Sequence, residues 1–377
     1  MKLLKYLALI IILWAIPSFF SYDEGIGSKF VLLMIGCLLL YFFIGKKRKI
    51  MLPFIILGLL YFTISGLILI EGNVKYYIND LIKYFIVIIC GTELARDTSK
   101  KELFIILMFG TSSILFHAIF FQGDFGRYSG FYLDPNGAGF ACAIAYSLSF
   151  KIQPNILKVF GQFLITFSGL LTFSRTFIIL WLLISVISVI SNRKNFLNFG
   201  LGIGALIVIF TVGSLLKVDT VRFNALENIF EDDNKASVSV IKSDSRTKTW
   251  SKYYTDILNN PFFGNGYKQL SGINKQKQGV HNTYLMVLGE SGIFPFLLFV
   301  GIYLFLLVKS FPSYKTNEYK PMLSVTLILL LMTTHNYFDN FFLIFISLWL
   351  LVHTTENHFE DELAIKDQEL KILKTTI

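Results

Sequence analysis

The sequence predicts an all-α fold: a polytopic integral membrane helical bundle of about 12 transmembrane helices with one long extracytoplasmic loop. Three observations lead there. Hydrophobic residues make up 54% of the 377-residue chain and charged residues only 16%, where a soluble protein carries about 25% charge; the mean hydropathy is +0.62. Apolar runs of spanning length, roughly 17–25 residues, recur along the chain. Finally, the Lys and Arg residues fall in short clusters between those runs, so the net charge of +9 reads as a device that sets membrane orientation and not as a nucleic-acid surface.

Taken in order, the runs predict spans near 3–20, 28–44, 51–70, 78–94, 103–121, 135–150, 155–173, 176–191, 197–216, 284–308, 321–334 and 338–353. The first follows Met1-Lys2-Leu3-Leu4-Lys5. It resembles a signal peptide but lacks a small-residue cleavage site, so it reads as an uncleaved helix. Four regions result: N-terminal transmembrane helices (1–216), a large periplasmic loop (217–283), C-terminal transmembrane helices (284–353) and a cytoplasmic tail (354–377). Lys2 and Lys5, Lys46-Lys47-Arg48-Lys49, Arg96 with Lys100 and Lys101, Lys151 with Lys158, Arg193-Lys194, and Lys309 with Lys315 and Lys320 occupy every second connection. With both chain ends cytoplasmic, this alternation holds throughout. Cys37, Cys90 and Cys142 lie in apolar segments at unrelated spacings, which argues against a disulfide framework or a zinc site.

Within the loop, Ser243 or Asp244 is placed to cap a helix on which Arg246, Trp250, Tyr253 and Ile257 share one face. Asn260-Pro261 ends it and Gly264-Asn265-Gly266 forms a turn. The tail from Glu356 carries Phe359, Leu363, Leu370 and Leu373 as an apolar stripe, the pattern of a short amphipathic helix.

The candidate chemistry gathers on the extracytoplasmic connections. Arg127 precedes Asp134-Pro135-Asn136, an N-cap and first-turn signature that places a helix N-terminus, and hence an anion-favouring dipole, beside a fixed cation. The alternative is an arginine snorkelling to lipid headgroups. Arg175 interrupts two apolar runs, so it needs a partner or a break open to water; a structural pairing with a carboxylate is the alternative. Arg246 sits beside the Trp250–Tyr253 face, a combination suited to a sugar phosphate, although loop arginines are often merely solvated. His281 ends the loop where the chain re-enters the membrane and is a candidate general base, or else an interfacial histidine bonded to Asn282. His117 and His335 compete for that role, and Asp339 can supply a carboxylate nearby. Three arginines and a histidine on one face suggest an enzyme acting on a phosphate-bearing lipid. No His/Asp/Glu set has metal-ligand spacing, and no cofactor motif is present.

Arg127-Tyr128-Ser129-Gly130-Phe131 with Asp134-Pro135-Asn136, Phe173-Ser174-Arg175, Arg246 with Trp250, Asn260-Pro261-Phe262-Phe263-Gly264-Asn265-Gly266, and His281-Asn282 continuing to Gly289-Glu290-Ser291-Gly292 together resemble the O-antigen ligase and Wzy-type polysaccharide polymerase superfamily. One departure is Pro295, where the family often has Gly or a similar residue. The resemblance implies a metal-independent glycosyltransferase at the outer face of the bacterial inner membrane, using saccharides on undecaprenyl pyrophosphate. It implies His281 as catalytic, Arg127, Arg175 and Arg246 as pyrophosphate-binding, and Asn136, Trp250 and Asn282 as supporting. Lipid-linked oligosaccharide and membrane lipid are the implied partners, with a chain-length regulator and a flippase. Three readings stay open: a polymerase, which is favoured; a ligase to lipid A-core or to a protein hydroxyl; and a flippase of the same lipid-linked sugars. A flippase is expected to have two similar halves, and no internal repeat is visible.

Overall fold

A computed structural model of the chain describes residues 1–22, 25–46, 48–121, 127–212, 246–272 and 278–356. The polar part of the loop up to residue 245, with its expected helix cap, and the expected amphipathic tail beyond Glu356 lie outside the described residues. Among the described residues every regular element is a helix, and a helix underlies each of the predicted spans. Three helices, Ile26–Ile44, Lys100–Phe120 and Ile293–Ser313, are long and apolar enough to cross a membrane, and five shorter apolar helices accompany them. The chain is thus a helical membrane protein.

Two predicted spans are each broken in two. The run at 3–20 forms α1 (Lys2–Leu13) and α2 (Ile16–Phe19), separated by Ala15 in the left-handed region (φ 51°). Pro17 is the cause: it lacks a backbone N–H, and its ring clashes with the carbonyl four residues back, that of Leu13. Trp14 at the break donates its indole N–H to the Ile106 carbonyl at 2.9 Å. The run at 284–308 forms α12 (Thr283–Ser291) and α13 (Ile293–Ser310), divided at Gly292 with φ 79°. A Cβ there would meet the Phe262 carbonyl oxygen at 2.0 Å, so the close approach of the 260–266 turn excludes a side chain.

The other helices are α3 (Ile26–Ile44), α4 (Leu52–Ser65), α5 (Val74–Arg96), α6 (Lys100–Phe120), α7 (Pro135–Leu148), α8 (Asn155–Leu171), α9 (Arg175–Ser191), α10 (Leu197–Val212), α11 (Arg246–Asn259), α14 (Tyr319–Leu331) and α15 (Phe341–Thr355). The bundle centres on α7 and α15. From Ala138 to Leu148 every residue of α7 is buried, as is every residue of α15 from Phe342 to Thr354. α7 packs against α6, α8, α9 and α14, while α15 packs against α5, α13 and α14. Small residues on α7 allow close approach where no aqueous hydrophobic effect drives helices together. A Cβ on Gly139 would lie 2.8 Å from that of Ser174, so this glycine sets the N-termini of α7 and α9 side by side.

The two ends of the bundle differ in charge. At one end Arg96, 2% exposed, bonds Glu93 at 2.6 Å and Glu356 at 2.7 Å. Beside it Arg48 pairs with Asp97 at 3.0 Å and Lys5 with Glu102 at 2.7 Å. Three of the basic clusters seen in the sequence thus converge there. Breaking the buried Arg96–Glu93 pair from one side costs about 3–5 kcal/mol, which makes this end a structural clamp. The candidate chemistry lies at the opposite end, about 22 Å away along the 15 residues of α15.

Candidate functional site

At that opposite end Arg127 joins two helix termini. Its Nε donates to the Thr172 carbonyl at 3.0 Å and its terminal nitrogen to Asn136 Oδ1 at 3.2 Å. The first contact holds the α8–α9 turn and the second the α7 N-terminus. Asp134 caps α7 as its sequence suggests, Oδ2 accepting from Gly137 N at 2.8 Å, while Oδ1 accepts from Asn136 Nδ2 at 3.4 Å. Arg127 is half-buried and tied to backbone, unlike an arginine reaching freely for headgroups. His117, a competitor for catalysis, has a structural task in the same segment. Its Nδ1 accepts from the backbone N–H groups of Ser129 and Gly130 at 3.3 and 3.1 Å.

Arg175 is the first residue of α9. Ser174 caps that helix, accepting from Phe177 N at 3.4 Å, after Phe173 adopts φ 48°. The arginine is exposed at this break, which meets the requirement set by its apolar flanks. Arg246, the first residue of α11, donates to Thr176 Oγ1 at 3.4 Å and so reaches from the loop to the α9 N-terminus. Two helix N-termini, each a source of partial positive charge and orphan N–H groups, therefore open beside Arg127, Arg175 and Arg246. That combination suits a multiply charged anion.

The loop helix packs as its periodicity predicts. Tyr253 and Ile257 are buried and Trp250 half-buried; the Tyr253 hydroxyl donates to the Gln278 carbonyl at 2.6 Å. Trp250 Nε1 is buried without a hydrogen-bond partner among the described residues, so its indole N–H is unspent. The Asn260–Gly266 turn docks on the end of α12. Asn265 N and Gly266 N donate to the Gly289 and Glu290 carbonyls at 2.7 and 3.1 Å, and Ile293 N donates to the Pro261 carbonyl at 3.0 Å. The two motifs are therefore halves of one joint that fixes the loop to the membrane helices.

His281 follows directly from that joint. Asn282 caps α12 by accepting from Leu285 N at 3.2 Å, and Thr283 Oγ1 donates to the Thr334 carbonyl at 2.9 Å. The Asn282 carboxamide oxygen thus serves the helix end. His281 sits at φ 46°, a left-handed conformation that is costly for a non-glycine residue and characteristic of functional sites. Its ring packs edge-on to His335, centroids 4.5 Å apart at 84°, and His335 Nε2 lies 3.2 Å from the Ser271 carbonyl. Burial, and then the positive charge of Arg246, push the His281 pKa below its ordinary value, with Asp134 opposing. Burial and then His281 hold His335 down to about 4. Both rings are accordingly neutral at pH 7, the state a general base needs.

Behind His335 lies a cavity of about 170 Å³. Lys268 bridges Asp80 at 2.8 Å and Asp339 at 3.2 Å within its wall. Asp339 is nearby as its sequence position suggests, whereas Lys268, Asp80 and Tyr61 were not foreseen. The available signal was two acids, Asp80 and Glu290, within predicted spans. Among the described residues no group of three or more His, Cys, Asp or Glu side chains is arranged to hold a metal ion.

Residues 160–300 match the family model described as O-antigen ligase. No curated protein matches the chain. The matched segment runs from α8 into α13 and contains Arg175, Arg246, Trp250, His281 and Asn282, while Arg127 and Asn136 precede it. The likeness to the O-antigen ligase and Wzy-type superfamily, first drawn from short motifs, is thus borne out.

Proposed function

We propose that the chain is a polymerase of bacterial surface polysaccharide. In this reading it transfers glycan from an undecaprenyl-pyrophosphate donor to a sugar hydroxyl of another lipid-linked repeat unit. The observation that carries it is the joining of a neutral, conformationally strained His281 to a cationic mouth built from two helix N-termini and three arginines. The donor pyrophosphate binds at Arg127, Arg175 and Arg246. The acceptor hydroxyl oxygen attacks the anomeric carbon. The bond from that carbon to the pyrophosphate oxygen breaks, and its electron pair leaves on the pyrophosphate. The hydroxyl proton passes to the His281 imidazole. Fixed guanidinium groups stabilise the charge that develops on the leaving group, a task for which this reading needs no divalent ion. Asn136 orients Arg127, Asn282 caps the helix that follows His281, and Trp250 offers its ring and free N–H to the sugar. The loop at 217–283 faces the periplasm or cell exterior, and the helices lie in the inner membrane.

The ligase reading shares every step at the donor and differs only in the acceptor. Purified protein in nanodiscs, given lipid-linked repeat units and EDTA, separates the two. A ladder of lengthening glycans supports polymerisation. Transfer only onto lipid A-core or a protein hydroxyl supports ligation. Glycan that crosses the bilayer without elongation overturns the enzyme reading.

A further inference from the structure

Charge divides sharply across the His281–His335 pair. On one side lie the three arginines and the two helix N-termini. On the other is the cavity behind His335, whose walls include Tyr61, Asp80, Lys268, Glu290 and Asp339. There one lysine serves two aspartates, and the Tyr267 hydroxyl also donates to Asp80. Both Glu290 oxygens are engaged, by the Tyr61 hydroxyl at 2.6 Å and by Leu270 N at 3.0 Å. Asp339 Oδ1, in contrast, is buried with no partner among the described residues and is free to accept from a hydroxyl. Tyr61 stacks on Phe338 with centroids 3.6 Å apart and planes 6° apart, a rigid apolar platform beside the carboxylates. A carboxylate-rich wall with a flat aromatic floor binds sugar hydroxyls and C–H faces, and it repels pyrophosphate. The space of about 170 Å³ has room for one sugar ring.

We propose that this cavity is the acceptor subsite, taking the terminal, non-anionic sugar ring of the acceptor and presenting its hydroxyl at the His335 edge to His281. The inference rests on the glycosyl-transfer reading above and deepens it. The excess of carboxylates over lysine selects against acceptors that end in a uronic acid, while the arginine-lined mouth takes the donor. The two substrates are thereby sorted by charge on either side of the base.

Asn336 is exposed at the rim of the cavity, and all three native cysteines are buried. An Asn336→Cys variant of the full chain in nanodiscs therefore reports occupancy through its rate of maleimide labelling. A lipid-linked repeat unit ending in a neutral sugar slows labelling, and undecaprenyl pyrophosphate alone does not. Protection by undecaprenyl pyrophosphate alone, or by neither compound, overturns the assignment. Asp339→Asn raises the acceptor KM about 10-fold, the loss expected for one charge-assisted hydrogen bond. It leaves the donor KM in place and shifts preference toward a uronic-acid acceptor. Equal changes in both KM values reduce the residue to a structural part and also overturn it. The two readings fail separately. Protection without glycan transfer leaves the subsite standing and removes the transferase, whereas transfer without protection does the reverse.

Discussion

Replacing Arg127 by lysine probes the proposed donor side most sharply, because the structure shows what the guanidinium spans. It holds Thr172 O and Asn136 Oδ1 at once, at 3.0 and 3.2 Å. A lysine ammonium keeps the charge but lacks the planar fork, and so satisfies one anchor at best. Losing one charge-assisted hydrogen bond is worth about 1.5–3 kcal/mol. Arg127 is half-buried, which favours the lower end of that range, and 1.4 kcal/mol is tenfold in rate. Arg127→Lys is therefore expected to slow glycan extension about 10-fold. Asn136→Ala, which removes the far anchor only, is expected to cost less. If the two residues act through one contact, the double variant is about as slow as Arg127→Lys alone, since contacting residues are not additive. The assay is the initial rate of extension by purified protein, with thermal unfolding in detergent as the control for folding. Full activity of Arg127→Lys, or strictly multiplied losses in the double variant, refutes the reasoning.

Three more outcomes are expected. His281→Ala lowers turnover about 100- to 10,000-fold, as loss of a general base does, while binding of fluorescent undecaprenyl pyrophosphate holds; wild-type chain length at normal protein level excludes the role. The acid limb of the pH–rate profile falls below the ordinary histidine range, because the neutral ring is the active form and burial with Arg246 disfavours its protonation. Arg246→Gln moves that limb to higher pH and Asp134→Asn to lower pH, and limbs that stay in place show that another group titrates. Cysteine at exposed Ser251 on α11 reacts with a membrane-impermeant thiol reagent from outside and cysteine at exposed Lys101 does not; the opposite sidedness overturns the orientation drawn from the Lys and Arg clusters.

Much of this molecule is legible in its sequence because membrane helices announce themselves through unbroken apolarity. The breaks at Ala15 and Gly292 were not legible, since both fall inside continuous apolar runs where hydropathy carries no information on backbone direction. Pro17 was the visible sign of the first. The second depends on Phe262, whose carbonyl approaches Gly292 only after the loop has folded back. The clustering of the arginines was readable because each sits at a polar interruption, and Asp134-Pro135 carries recognisable capping chemistry; the Ser174 cap was not foreseen. The cavity was not readable. Lys268 lies in a loop and Asp80 near the start of α5, and their 2.8 Å contact comes from long-range packing that neither local pattern encodes.

In the proposed reaction the arginine-lined mouth and His281 move a glycan off a lipid pyrophosphate. Release of free undecaprenyl pyrophosphate, followed in EDTA alongside new glycosidic bonds, tests it most directly. Wild-type protein is predicted to release one pyrophosphate lipid for each bond formed, and His281→Ala to release almost none while still binding donor. Bond formation abolished by EDTA, or glycan delivered across the bilayer still attached to its pyrophosphate, would contradict the account.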